Sequence, residues 1–486
     1  MTVSSAEKAM NALWFSGDQG AVFPGELSIA IEEAVIAGAP NIEVIVTNWY
    51  TGRDLFQYTN ALGTGTRFAE LSGAYDVLRN RDIDVVSPVG CYIDDIGTNI
   101  GATKNYGVQL ANFLYQSTKS QNSAVGVIAT APIVYWAQQR AGFLNVSVSD
   151  AVTGSTSLSA EVATYTGLST TGQMRQVLFA TPSTALLSEW YAHNAFVHAN
   201  TGTVNAASGF FTTRVFSGSA YHAAYDSFLH GSYDSNGVRF SEAANSSQLY
   251  STYFTYWQAK ELDTTAAVDG RNVRVDAGAY LSVFSAPVKV ATTQTSALAS
   301  ALGASISTAF QTTAGAAAYG GAILRLAPQS ATTNKFIEGL VPLKQLSATQ
   351  VNVLTGLRLV SMYTRSKGFV VASGVTGAFN VNRYLRSDFV RLTTVRIVHT
   401  TVDLIRAVAE KYLGEPNNAP QMNALSAEID QVLLSMKSAG ALNQYDFTVS
   451  STPEQRVLGQ CDVNLTLVPA FEITQINLTV SLADSI

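Results

Sequence analysis

The sequence predicts a multi-domain chain of mixed α/β and α+β class: an α/β core interrupted by a β-rich insertion, then a C-terminal α+β domain ending in a strand pair. Three observations carry this. A helix-strand unit repeats three times between residues 26 and 133, the texture changes from about residue 146 to 273, and the chain closes on two stretches of strict apolar/polar alternation. A length of 486 residues gives room for roughly two to four domains with ample core.

In the first repeat, Leu27, Ile31, Ala34 and Val35 mark a helix that Gly38 is placed to end, and Ile42 to Val46 reads as a buried strand. Phe68, Leu71, Tyr75 and Leu78 mark a second helix before the strand Ile83 to Val86. Leu110, Phe113, Leu114 and Ser117 mark a third before Ala124 to Ala129. Alternation of this kind implies a parallel sheet with covered faces. Residues 1–145 are therefore the first part of the core. Residues 146–273, rich in Ser, Thr, Gly and Asn with scattered aromatics such as Trp190, Phe210 and Trp257, form the insertion, and residues 274–345 return to the core.

The C-terminal domain, 346–486, is the most legible part. Ser347 with Gln350 makes a capping box ahead of a helix carrying Val351, Leu354 and Leu357. Phe369 to Ala372 is a short strand. A long helix spans about Asp388 to Leu413 and stops before Pro416, and another carries Met422, Leu425, Ile429, Val432, Leu433 and Met436 on one face until Gly440. Three closing strands are expected from about Tyr445, Val457 and Ile473. Val463, Leu465 and Leu467 alternate with polar residues, and so do Ile476, Leu478, Val480 and Leu482 after a break at Pro469 to Glu472. The last strand needs a sheet, in this chain or in a neighbour by strand addition.

Composition bounds the function. Charged residues are 13% and hydrophobic ones 47%, yet no window holds 18 uninterrupted apolar residues, and Ala314 to Ala327, the nearest, carries Arg325. No membrane span is expected, and Met1 to Gly17 lacks the basic start and apolar core of a signal peptide. A chain so poor in charge suits the subunit of a large assembly. The net charge of -6 argues against nucleic acid as the main partner. Cys91 and Cys461 lie too far apart in sequence for a metal motif and are expected as free thiols.

Candidate chemistry is sparse. His193, His198, His222 and His230 cluster in sequence without a recognised metal spacing, and His399 sits in the long helix without a neighbouring nucleophile. Gly167 to Gly172 has phosphate-loop spacing, but Gln173 and Met174 replace the residues that would hold phosphate and magnesium. Gly63 and Gly65 lack the third glycine of a dinucleotide loop, so both pairs read as turns. Asp94 and Asp95 follow a strand end, where open α/β sheets bind ligands. They could hold a divalent metal or act as acid and base, or form a solvated acidic loop or an inter-subunit contact. No cofactor is assigned. Between Arg383 and Lys411 six basic residues face three acidic ones, a local excess that suits either an acidic partner surface or an ordinary solvated helix face. Arg391, Arg396 and Arg406 cannot all share one stripe, since the first step turns by about 140°.

Several segments carry a family resemblance. AYDVLRNRDIDVVSPVGCYIDD (Ala74 to Asp95) and LANFLYQSTKSQNSAVGVIATAP (Leu110 to Pro132) resemble the α/β part of contractile phage tail sheath proteins. So do KGFVVASGVTG (Lys367 to Gly377), DFVRLTTVRIVHTTVDLIRA (Asp388 to Ala407), EPNN (Glu415 to Asn418), GALNQYDF (Gly440 to Phe447) and the closing strand pair. Together these pieces cover about half of the chain and stand in the family's order.

The resemblance implies a structural, non-enzymatic subunit of a virion tail. It would be assembled in the host cytoplasm as stacked rings around a tail tube, and would contract to drive the tube through an envelope. The implied partners are further copies of the chain, the tube protein, and baseplate and tail terminator proteins, with no nucleic acid and no membrane. It makes Ile473, Ile476, Leu478, Val480 and Leu482 a candidate donated strand, Val463, Leu465 and Leu467 its acceptor, and Arg391, Arg396 and Arg406 candidate tube contacts. Met1 to Gly20 shows no alternating strand, so an N-terminal donated arm is not carried over. The competing readings are an α/β metal- or nucleotide-binding enzyme using Asp94 and Asp95, and a surface-layer protein.

Overall fold

Val125–Ala129 has no polar face, and a strand of that composition is stable only when both faces are covered. The computed structural model describes residues 2–3, 14–16, 22–24, 26–45, 64–93, 106–120, 122–130, 132, 267–268, 271–272, 277–290, 311–343, 345–356, 358–366, 368–378 and 388–473. Its core is built around that strand. Strands β1 (Val85–Val86), β2 (Val125–Ala129), β3 (Leu281–Phe284) and β4 (Leu359–Val360) form a parallel sheet in the order β4-β3-β2-β1. Gly126 lies opposite Leu281, and Ala129 opposite Phe284.

Alternation along β2 and β3 sends these two pairs to opposite faces. On one face is helix α3 (Tyr106–Ser120): a Cβ on Gly126 would stand 2.7 Å from Leu114 and 2.9 Å from Leu110. Helix α2 (Thr64–Leu78) joins it, Tyr75 stacking on Phe113 at 4.8 Å. On the other face is helix α4 (Ala316–Arg325), with the Phe284 and Tyr319 rings 5.6 Å apart. Helix α1 (Glu26–Ala37) crosses α4 so closely that a Cβ on Gly321 would overlap the Ala34 carbonyl oxygen. The Ala- and Gly-rich stretch is thus a helix whose small side chains permit close backbone packing.

The mixed class and the parallel sheet match the sequence reading, with local corrections. The expected strand Ile42 to Val46 is reduced to Ile42–Glu43, which pairs antiparallel with Thr2–Val3 and stays outside the parallel sheet. Val44 is buried and Ile42 partly buried against Leu27 and Ile31 of α1, so this segment gains its apolar contacts outside the parallel sheet. A cavity of about 670 Å³ lies between it and β1, lined by residues including Leu71, Tyr75, Ser87 and Gly320. Gly65, read as a turn, lies in the first turn of α2. The fourth core strand, Leu359–Val360, comes from the stretch grouped in sequence with the C-terminal domain.

Ser347 and Gln350 form the expected reciprocal cap, at 2.9 and 3.3 Å, on the helix Ala348–Gly356. The expected helix from Asp388 to Leu413 is a 3-10 turn at Asp388–Val390, an extended Arg391, then helix α5 (Leu392–Glu410). Helix α6 (Ala419–Ser438) starts at Asn418, whose side chain accepts from the Gln421 N–H at 3.0 Å, and Gly440 follows it at φ 75°. Its buried residues Leu425, Ile429, Leu433 and Met436 pack with Ile397, Ile405 and Val408 of α5.

Two long strands, β5 (Leu442–Ser450) and β6 (Asp462–Pro469), lie on these helices as an antiparallel ladder. Tyr445, Phe447 and Val449 pair with Leu467, Leu465 and Val463, and all six pack toward the helical cluster. The strand expected from about Val457 starts only at Asp462, because Pro453–Val457 is a helical turn. Pro453 suits a helix start, and Thr452 with Gln455 closes a capping box there.

The tight α1–α4 crossing yields a first expectation. Gly321→Ala should cost about 1–3 kcal/mol through overpacking, read as a lower midpoint in urea denaturation with the slope unchanged.

Candidate assembly surface

A two-stranded ladder has two outer edges, and an edge displays unpaired N–H and C=O groups that can template another strand. Among the described residues no third strand joins β5 and β6. Their sequences carry little edge protection: there is no Lys, the only proline is the terminal Pro469, the charged residues are Asp446 and Asp462, and the one register irregularity lies at the Leu442 end. Val463, Leu465 and Leu467 are half-buried against α5 and α6, while Asp462, Asn464 and Thr466 face outward. After β6 the chain continues through Phe471 to Ile473, which is 81% exposed. Ile476, Leu478, Val480 and Leu482 lie outside the described residues.

The three arginines singled out in sequence each bind a main-chain carbonyl of this chain. Arg396 donates to the carbonyls of Leu326, at 2.6 Å, and Ala327, at 3.3 Å, just past the C-terminus of α4. Arg406 donates to the Thr118 carbonyl, at 2.7 Å, in the last turn of α3. A cation at a helix C-terminus offsets the exposed carbonyl dipoles by about 0.3–1 kcal/mol, or more when partly buried. Arg391, ahead of α5, donates to the Glu472 carbonyl at 3.1 Å. All three tie the C-terminal layer or its tail to other parts of the fold. Sequence reasoning had no access to this, because an arginine's partner carbonyl leaves no mark in composition.

His399 lies on the buried side of α5, its ring stacked near Tyr280 at 6.1 Å. Burial, with Arg406 nearby as a second cause, pushes its pKa down to about 4, so the imidazole is neutral near pH 7. Asp403 and Arg406 stand beside it, 3.6 Å apart, and burial raises the Asp403 carboxyl above its usual value. Nothing in this group is placed as a nucleophile with its base. Among the described residues no cluster of His, Cys, Asp or Glu could hold a metal ion, and no helix is long and apolar enough to cross a membrane. Cys91 is buried and Cys461 exposed, both as free thiols. Asp94, Asp95, His193, His198, His222, His230 and the Gly167 to Gly172 stretch lie outside the described residues.

The segments that carry the family resemblance hold the C-terminal layer together. Asn418 caps α6, while Asn417 reaches the Ser451 hydroxyl, at 3.1 Å, and the Gln460 carbonyl, at 3.0 Å, bracing the β5–β6 connection. In GALNQYDF, Gly440 supplies a left-handed turn, Ala441 and Leu442 are buried, and Tyr445 bonds Asp430 at 2.9 Å. In KGFVVASGVTG, Gly377 packs so tightly on Gly278 that a Cβ on the latter would overlap the Gly377 carbonyl.

No family model matches the chain, and no curated protein does. Among solved structures it is similar to a chain of the anti-feeding prophage baseplate, at TM-score 0.35 and 16% identity over 48% of this chain and 66% of that one. It is also similar to the PVC sheath complex of an extracellular contractile injection system in its contracted state, at TM-score 0.34 and 18% identity over 42% and 57%. A third is the sheath tail protein of Desulfitobacterium hafniense, at TM-score 0.29 and 14% identity over 38% and 45%. This chain spans less than two thirds of the length of each, and likenesses this distant bear no weight in assigning function.

The His399 environment yields a pH expectation. With a native pKa of about 4 against 6.5 when unfolded, the unfolded chain takes up the proton first. Stability present above pH 6.5 should therefore fall as pH drops toward 4, by on the order of 3 kcal/mol. Urea denaturation between pH 7.5 and 4.5 should show a shallower loss in His399→Phe than in the wild type.

Proposed function

We propose that the chain is a structural subunit of a contractile tail sheath. Copies polymerise as stacked rings around a tail tube and contract to drive the tube through a cell envelope. The carrying observation is the β5–β6 ladder: eight paired positions, a half-buried apolar face, and no third strand among the described residues. A lone two-stranded ladder is marginal in water, and this one is held from a single side by α5 and α6. Its edges accept a strand of matching period, and Ile476, Leu478, Val480 and Leu482 have that period.

In this reading the terminal segment leaves its own subunit at Ile473 and completes the ladder of a neighbour, with Val463, Leu465 and Leu467 on the accepting strand. Many weak links around and between rings make assembly cooperative, and rigid domains can reorient while the links persist. The remaining partners are the tube, baseplate and tail terminator proteins, and the location is the virion tail after assembly in the host cytoplasm. No chemistry is assigned to the subunit. Arg391, Arg396 and Arg406 already bind carbonyls of their own chain, so a tube contact would use whatever of their guanidinium surface those bonds leave open.

Electron microscopy of the purified full chain, beside a chain ending at Ile473, tests the reading. The full chain should form tubes or striated sheaths and the shortened chain only small particles. Equal assembly of both would rule out the terminal strand as the link, and a full chain that stays monomeric at high concentration would count against intrinsic self-assembly.

A further inference from the structure

The chain leaving β6 is tied to the core before it can act on any neighbour. Four contacts over three residues do this. The Ala470 N–H donates to the Ala441 carbonyl at 2.9 Å. The Phe471 ring lies 5.9 Å from the Arg391 guanidinium, in cation–π range. The Glu472 carbonyl accepts from Arg391 at 3.1 Å, and its carboxylate accepts from the Thr333 hydroxyl at 3.3 Å.

The two anchoring residues are themselves braced. Arg391 bridges Val375, and the next residue, Leu392, donates its N–H to the Gly374 carbonyl at 3.1 Å. Gly374 in turn donates its N–H to the Thr333 hydroxyl at 2.9 Å. The Val375 carbonyl accepts from Ser282 of β3, at 2.7 Å, and Gly377 donates its N–H to the Leu281 carbonyl of the same strand at 2.8 Å. A chain of short bonds thus runs from Glu472 to the parallel sheet without passing through the β5–β6 ladder.

We infer that Arg391, Thr333, Phe471 and Glu472 form an anchor that transfers load from the C-terminal arm to the parallel-sheet core, sparing the strand pair; the load role rests on the donated-strand reading above. The mechanical reason is the order of attachment. A pull on the end of β6 would open the ladder from the pair Leu442 and Pro469 inward, one pair at a time. Force entering at Ile473 meets the Glu472 and Phe471 contacts first, and the sheet behind them is covered on both faces. Arg391 is a positioning residue here: one of its guanidinium N–H groups holds a main-chain carbonyl, which fixes where the arm emerges whatever side chains follow.

The test is hydrogen exchange on the full chain and on the Arg391→Ala, Arg391→Lys and Thr333→Val variants, before and after assembly. In the unassembled chain Arg391→Ala should speed exchange at residues 470–473 by about tenfold or more and leave Tyr445 to Val449 unchanged. Thr333→Val should act in the same direction, and Arg391→Lys should retain part of the protection. Exchange at 470–473 that neither Arg391→Ala nor Thr333→Val alters overturns the anchor, whether or not the chain builds sheaths. In assembled tubes Arg391→Ala should also speed exchange along β5 and β6, and exchange there equal to the wild type overturns the load role. A wild-type chain that never assembles overturns the load role together with the sheath reading, while the unassembled comparison still decides the anchor.

Discussion

The fold depends on one strand that has no face to give to water. Val125–Ala129 is buried throughout, and covering both of its faces organises the core. Leu110 and Leu114 of α3 reach it because Gly126 has no side chain, and α4 covers the other face with Tyr319 set against Phe284. The same economy of volume recurs one layer out, where Gly321 lets α1 settle on α4. Close packing of this kind joins β2, α3 and α4 into one packed body, with the cavity of about 670 Å³ left on its β1 side.

The C-terminal layer is held to that body differently. Its own interior, from Ile397 to Met436, is apolar, and polar joints add to its attachment: Arg396 at the end of α4, Arg406 at the end of α3, and Gln329 reaching the Ala439 carbonyl at 3.0 Å. Bonds from a guanidinium to helix-end carbonyls satisfy groups that would otherwise need water. They are directional, so they help set the orientation of the layer.

The β5–β6 ladder is less self-sufficient than the core. It is covered on one face and has no third strand among the described residues, so it depends on α5 and α6 for its burial. The contacts of Arg391 and Thr333 with Glu472 give the departing chain an attachment outside the ladder.

Sequence alone determined whatever depends on local pattern. The period of two along Cys461 to Leu467, the capping box at Ser347, the helix face from Met422 to Met436 and its stop at Gly440, and the buried strand at Ala124 to Ala129 were legible because their causes lie within a few residues of their effects. The family resemblance drew on the same segments. What only the tertiary structure decided were the partners of long side chains and of short apolar runs. Ile42 to Val46 looked like a core strand, but its residues Ile42 and Val44 pack against α1 instead. Val457 looked like a strand start until Pro453 and the Thr452 cap took the turn. Arg391, Arg396 and Arg406 looked like a surface charge excess, yet each ends on a carbonyl at least 69 residues away in the chain. Periodicity reports which face of an element is dry; it does not report what lies across from it, because that depends on how distant segments pack.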